Sequence, residues 1–555
     1  MEKRTILAFI LSFLVLIAWT SLFTPKRDQV HKEKTTFEKE APKEITDVPV
    51  SPDFARSVPP RIPEKQVAPA IPKVPEKEIV VETPLYKAIF TNSGPTIKSF
   101  ELKKYRQNID PDSPLIQLVN PDNNTTDFFL MNFRTPSSVQ GKRMVYQVDR
   151  EAIRLAPGSS PKNLVFSSVT PEGLLITQTF RFYPDRYEID MDMNVSNQTE
   201  VSATGVVTAE IKVWRPQEKK GYYSYVGFVL LLNDKLEEVE IEEVSEEKTI
   251  NGQIKWVAYE NDYFMSAVIP EELSKGTFEG RLSSSQLLEG THFAPPVSLN
   301  PSQQMSSLYT LYFGPRDLEI LKEVGAGLDK AIDFGWFDII AKALFYVLIF
   351  FNKFIDNYGV SIILLTILVK LLFWPLTHKS YKSMKEMQKL QPIMAKIREK
   401  HKNDKQKMNT EMMGLYKTYK VNPLGGCLPM IIQLPVFFAL FRLLGSAIEL
   451  RHAPFMFWIK DLSAPDRLFH FPFSIPFMAP PYGIPVLTLL MGASMFIQQK
   501  MTPTPGDPAQ AKMMMFMPII FTFMFINFPS GLVLYWLVNN LLSIGQQYRI
   551  LKSSV

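Results

Sequence analysis

The sequence predicts an α-helical polytopic membrane protein that also carries an all-β domain. Three observations carry this expectation. The chain opens on an apolar run, its middle consists of short β-branched and aromatic runs separated by turn signals, and its last part holds several apolar stretches close to the length of a bilayer crossing. At 555 residues the chain also exceeds what one hydrophobic core organises, so at least two structural units are expected.

Residues 6–23 are apolar and follow Lys3 and Arg4, which orients the N-terminus to the cytoplasm and makes residues 1–24 a transmembrane anchor. A cleaved signal peptide is the competing reading, but the run is long for one and ends without a small-residue cleavage site. Residues 25–78 are rich in proline and charge with no sustained apolar period, the composition of a disordered periplasmic linker. Residues 79–334 hold runs such as LLITQTFRF at 174–182 and YEIDMDMNV at 187–195, which indicate a large antiparallel β-sandwich ending in a short helix. The acidic stretch 237–247 reads as a solvated loop.

Apolar spans are expected at residues 358–376, 421–444, 483–499, 513–527 and 531–550. Residues 336–354 compete for a further crossing, and the following loop decides against it. Residues 377–420 carry Lys379, Lys382, Lys385, Lys389, Lys396, Arg398, Lys400, Lys402, Lys405, Lys407, Lys417 and Lys420 against Glu386, Glu399, Asp404 and Glu411. Such an excess belongs in the cytoplasm. Residues 335–357, with Asp338, Lys342 and Lys353, are therefore read as an amphipathic helix in the outer interface. Six crossings result, with both termini and the basic loop cytoplasmic and the β-domain periplasmic, joined by a periplasmic loop at 445–482 and a cytoplasmic one at 500–512.

A charge inside a span is costly unless it meets water or a partner, which makes Lys370 the first candidate for function. It lies about 13 Å along a helix from Lys379, further than a lysine comfortably snorkels. Thr366 shares its face one turn away. In the last span Tyr535, Asn539, Ser543 and Gln546 recur at helical spacing beside Trp536 and Asn540, while Gln433, Ser494 and Gln498 sit in neighbouring spans. Each alone can be interhelical glue. Most of them fall at the midplane or in the cytoplasmic half of their spans, which describes a positively charged groove open to the inner leaflet and lacks the two-leaflet polar lining of a channel.

Residues 377–420 read as two helices broken near His401, with Met384, Met387, Met394, Met408 and Met412 at mostly helical spacing and Lys389 and Arg398 on the basic side. Two readings stay open: an ordinary helical hairpin with a solvated face, or a surface whose flexible thioethers receive many apolar sequences. Other chemistry is poorly supported. One cysteine, Cys427, excludes an intrachain disulfide, the six histidines lack metal-ligand spacing, no nucleotide-binding glycine pattern occurs, and a net charge of +5 does not call for nucleic acid.

Four runs carry a family resemblance: YGVSIILLTILVK at 358–370, KVNPLGGCLP at 420–429, APFMFWIKDL at 453–462 and FPSGLVLYW at 528–536. They resemble the core of the YidC/Oxa/Alb insertases, and the layout before residue 335 resembles the Gram-negative form with its large periplasmic domain. The resemblance implies five core helices around an inner-leaflet groove, a cytoplasmic hairpin that contacts substrate or ribosome, and a periplasmic β-supersandwich. It implies a membrane protein insertase and chaperone without cofactor, whose partners are nascent inner-membrane proteins, the Sec translocon with its accessory proteins, the ribosome and membrane lipids. The family usually has arginine where this chain has Lys370, so the charge is kept and bidentate hydrogen bonding is not. Its β-domain resembles sugar-mutarotase folds, but His292 is the domain's sole histidine and has no recognisable carboxylate partner in sequence. A small-solute transporter and an envelope scaffold are the alternatives in other functional classes.

Overall fold

The computed structural model describes residues 75–552 apart from 121–128, 137–143, 215–224, 245–246, 273–274, 284–286, 403, 420, 422–427 and 503–507. The expected anchor at 1–24 and nearly all of the linker lie outside the described residues. So do Cys427 and part of the cytoplasmic loop at 500–512.

Alternation builds the β-domain. Strands Leu174–Phe182 and Glu188–Asn197 bury every second side chain, as a pleated strand with one face on a core must. They pair antiparallel with Ile189 opposite Phe182 and Val195 opposite Ile176. Extending this pair, Lys162–Val169 lies beside the first strand, and Gln304–Pro315 and then Phe264–Pro270 lie beside the second. A second series joins Glu78–Glu82, Tyr86–Thr91, Thr96–Arg106, Phe129–Arg134, Ala203–Trp214, Leu287–Phe293 and Lys275–Leu282. The long strand Lys248–Glu260 belongs to both series: its first half pairs with Lys275–Leu282 and its second with Phe264–Pro270 and Gly227–Leu232. Phe90 fills the core with its ring 5.3 Å from Phe180 and 5.6 Å from Phe182, both edge-on, and Trp256 is wholly buried.

The acidic stretch is not a loop. It forms strand Lys235–Glu240 and a helical turn, Ile241–Val244, because Val239, Ile241 and Val244 are buried while Glu240 and Glu243 face outward.

Helix α1, Leu318–Val324, follows the last strand and is capped by Asp317, which accepts from the backbone N–H groups of Glu319 and Ile320. Next come α2 (Asp338–Ile355), α3 (Tyr358–Leu372), α4 (Trp374–Lys400), α5 (Lys405–Thr418), α6 (Leu428–Ser446), α7 (Val486–Met501), α8 (Pro508–Phe525) and α9 (Ser530–Lys552). Helix α9 packs on α3, α7, α4 and α6, while α2 lies against α3 and α6. Ala341, Phe345 and Leu348 form the buried stripe of α2, and Ile339, Phe350 and Phe354 on its other side are exposed.

No single helix among the described residues is long and apolar enough to cross a bilayer by itself; the bent pair α3 and α4 meets that test together, and Gln433–Ser446 and Met514–Phe525 are shorter apolar stretches. The reasons differ. Helix α3 has 15 residues, about 22 Å against a hydrocarbon core of about 30 Å. Helix α9 has 23 residues, but Asn539, Asn540, Ser543, Gln546 and Gln547 dilute its apolar character. The α3–α4 junction bends by 66° at Phe373. Pro375, which lacks an N–H, breaks the hydrogen-bond ladder there.

Gly359 opens α3 directly under the Phe455 ring, leaving no room for a Cβ. Gly359→Val is expected to destabilise the helical region by about 1–3 kcal/mol, read as a lower unfolding midpoint in detergent; an unchanged midpoint would show that the ring moves aside freely.

Candidate functional site in the helical region

The bend at Phe373 leaves a recess between α3, α4, α6 and α9, lined by Val369, Lys370, Phe373, Leu376, Thr377, Gln433 and Asn539. Its empty space, open solvent included, is about 340 Å³. Lys370 is only 7 % exposed, and its Nζ donates to Ser543 Oγ at 2.6 Å. That hydroxyl donates in turn to the Asn539 carbonyl at 2.7 Å. Among the described residues no carboxylate forms an ion pair with Lys370, so a lysine ammonium with three donors is held by one hydroxyl at the edge of a recess.

The surrounding polar groups form a ladder. Gln433 Nε2 donates to the Tyr535 hydroxyl at 3.1 Å. Gln546 Nε2 donates to Thr377 Oγ1 at 3.0 Å, joining α9 to the start of α4. The buried Tyr381 hydroxyl engages both Ser543 and Gln498. Below the bend, Lys385 Nζ donates to the Ile550 carbonyl at 2.9 Å and the Leu551 carbonyl at 3.2 Å, a cation placed at the negative end of α9.

The structure thus brings Lys370, Gln433 and Asn539 to the recess, with Ser543 and Tyr535 directly behind them. Other residues expected in the groove lie elsewhere. Thr366 is buried and donates to the Ile362 carbonyl of its own helix. Ser494 accepts from Asn540 at 3.0 Å in the α7–α9 contact. Trp536 belongs to an aromatic wall with Phe437 and Phe525, whose ring centroids are 4.8 and 5.0 Å away. Thr377 and Tyr381 were missed by the sequence reading, since both fall in the segment assigned to the basic hairpin.

In the hairpin, Met387, Leu390 and Met394 of α4 pack with Val421 and, from α5, Met412 and Leu415. Met384 joins Tyr381 and Ile550 instead. Asp404 caps α5 by accepting from the Lys407 N–H at 2.9 Å. Met408 is partly covered, as is Arg398, and Lys389 is exposed with its ammonium 2.9 Å from Glu386.

His292 does not resemble a general base. It is buried, its Nδ1 has no hydrogen-bond partner among the described residues, and desolvation pushes its pKa down to about 4. The unfolded chain binds this proton from about pH 6.5 downward, whereas the folded chain binds it only near 4. Stability should therefore fall with pH across that window, by up to about 3 kcal/mol from this group. Burial pushes Glu260 up to about 7 against the pull of Arg316, which gives the opposite slope, so the informative quantity is a difference between variants. His292→Leu is expected to lose less stability than the parent between pH 6.5 and 4, read by thermal unfolding; parallel pH profiles would contradict the assignment. No group of three or more candidate metal ligands occurs among the described residues.

Residues 78–347 match the family model for the YidC periplasmic domain, and residues 350–555 match that for the 60Kd inner membrane protein. A membrane protein insertase YidC of Pelobacter propionicus is 42% identical over 558 residues, covering 100% of this chain and 99% of the relative. That of Geobacter sulfurreducens is 40% identical with the same coverage. Among solved structures, an active YidC insertase with its first transmembrane domain resolved aligns with a TM-score of 0.36 at 18% identity, over 85% of this chain and 92% of that one. A galactose mutarotase-like protein of Lactobacillus casei aligns with 42% of this chain and 99% of its own, with a TM-score of 0.31 at 10% identity.

A periplasmic β-domain joined to a helical inner-membrane region defines a class of multi-pass envelope proteins, and the chain lies in the inner membrane. Within that class it belongs to the YidC family of membrane protein insertases. The family's work is insertion and chaperoning of membrane proteins, not covalent catalysis.

Proposed function

We propose that this chain moves client transmembrane segments from the cytoplasm into the inner membrane by way of the recess around Lys370. The observation that carries this reading is a buried ammonium, held by Ser543 and beside Gln433 and Asn539, at the mouth of a cavity between helices. A client's acidic or polar flank faces a steep cost in hydrocarbon, about 2.5–3.5 kcal/mol per charge at the helix centre. Near Lys370 it gains an attraction of about 4 kcal/mol at 4 Å and an effective dielectric of 20. The flank rests in the recess while its apolar helix partitions sideways into lipid. The groove comprises Lys370, Thr366, Gln433, Ser494, Gln498, Tyr535, Trp536, Asn539 and Ser543, with Lys370, Gln433 and Asn539 at the recess and the others supporting it from behind.

In this reading the chain crosses the membrane six times, five of the crossings form the core, and both termini are cytoplasmic. The short helices match a bilayer thinned at the groove. Helix α2 lies in the outer interface with Ile339, Phe350 and Phe354 toward lipid. The β-domain is a periplasmic β-supersandwich that contacts proteins. Lys389 and Arg398 on the hairpin meet the incoming chain or the ribosome, while Met387, Met394 and Met412 hold its arms together and, with Met384 and Met408, yield as a client enters. The chain works alone or beside the Sec translocon and needs no cofactor.

Single cysteines along α3, in a Cys427→Ser background, test the groove with an impermeant maleimide added from each side. Labelling from the cytoplasmic side at 369 and 373, with none at 359–366, is expected. Labelling from both sides along the whole helix would favour a solute pathway instead.

A further inference from the structure

The loop between α6 and α7 presents an unusual surface. Phe457 and Phe477 are each 85 % exposed, Phe469 67 % and Phe473 60 %. Phe457, Phe469 and Phe477 have φ of 56°, 58° and 64°, a left-handed conformation that is unfavourable for a bulky L-residue. The surrounding frame holds them there. Arg467 donates to the carbonyls of Pro481 and Ile526, both at 2.9 Å. Asn527 donates to the Phe477 carbonyl at 2.9 Å and accepts from the Ala479 N–H at 2.8 Å. Near α3, Asn357 donates to the Phe455 carbonyl at 3.1 Å.

A flexible aqueous loop gains nothing from rings fixed outward, and residues 471–482 contain no charged side chain to keep such a surface in water. The frame ties the loop to the end of α8 through Ile526 and Asn527. The exposed side of α8 carries Ile519, Ile520 and Phe523, so the rings continue an apolar face that is already turned outward. We propose that this loop lies in the outer-leaflet interface, with Phe457, Phe469, Phe473 and Phe477 seated among lipid chains at the headgroup boundary. This rests on the reading of α8 as a spanning helix. The rings anchor the outer rim of the bundle at a fixed depth while the opposite, cytoplasmic side opens to clients.

Nitroxide labels on Phe469→Cys, Phe477→Cys, Ile519→Cys and Glu200→Cys, each in the full chain with Cys427→Ser, test it in phosphatidylethanolamine–phosphatidylglycerol vesicles. Collision with oxygen relative to a water-soluble nickel chelate is measured at each site. Positions 469 and 477 are expected to show ratios severalfold above that of 200, on the side of 519. If 519 reports lipid while 469 and 477 match 200, the inference fails and the spanning reading stands. If 519 also matches 200, the spanning reading fails first. Shielding of 469 and 477 that requires added translocon would assign the surface to a protein partner and overturn the proposal.

Discussion

Lys370→Glu is expected to abolish complementation of an insertase-depleted strain, whereas Lys370→Arg retains it. The glutamate would put an anion where a client's acidic flank must rest, turning attraction into repulsion of similar size, and each 1.36 kcal/mol of barrier costs about tenfold in rate. It would also lose the donor that now meets Ser543 Oγ at 2.6 Å. Arginine keeps the charge and adds a planar donor fork, so it serves any carboxylate the lysine serves. Lys370→Gln separates charge from hydrogen bonding and should fall between the two. Equal complementation by the Glu and Arg variants would remove the charge from the mechanism.

The second large effect concerns the β-domain. Trp256 is wholly buried in the strand that both pairing series share. Trp256→Ala should cost about 3–5 kcal/mol through lost burial and the cavity left behind, seen as faster hydrogen exchange across Lys248–Glu260 and its partner strands. Insertion of a simple client should persist, because the recess residues lie on α3, α4, α6 and α9. Loss of insertion in step with the loss of β-domain protection would favour the scaffold reading. Arg451, which donates to the carbonyls of Arg106 and Gln107 and stacks over Tyr263, and Tyr263, which donates to the Gly445 carbonyl at 3.2 Å, are contacts through which damage passes between the two regions.

Local periodicity made part of this architecture legible. Alternation at 188–197 and 174–182 announces strands because a period of two is visible within ten residues. The division of Lys248–Glu260 between two series is not, since it depends on partners far along the chain. In the acidic stretch, counting charge hid the apolar residues between the glutamates. Lys370 stood out as a charge in an apolar run, and the same reasoning found Gln433 and Asn539. Thr377 and Tyr381 escaped it because the 66° bend at Phe373 turns the first residues of the basic segment back toward α9. The methionines show the limit of composition: Met387 and Met394 are buried between the hairpin arms, and only packing distinguishes that from an open receiving surface.

Insertion of a short radiolabelled two-helix client into liposomes, with and without the purified chain and without nucleotide, tests the central claim most directly. Protease protection that requires the chain, and that drops when Lys370→Glu replaces it, is the expected result. Equal protection with and without well-folded chain, using a client that a known insertase does insert, would contradict it.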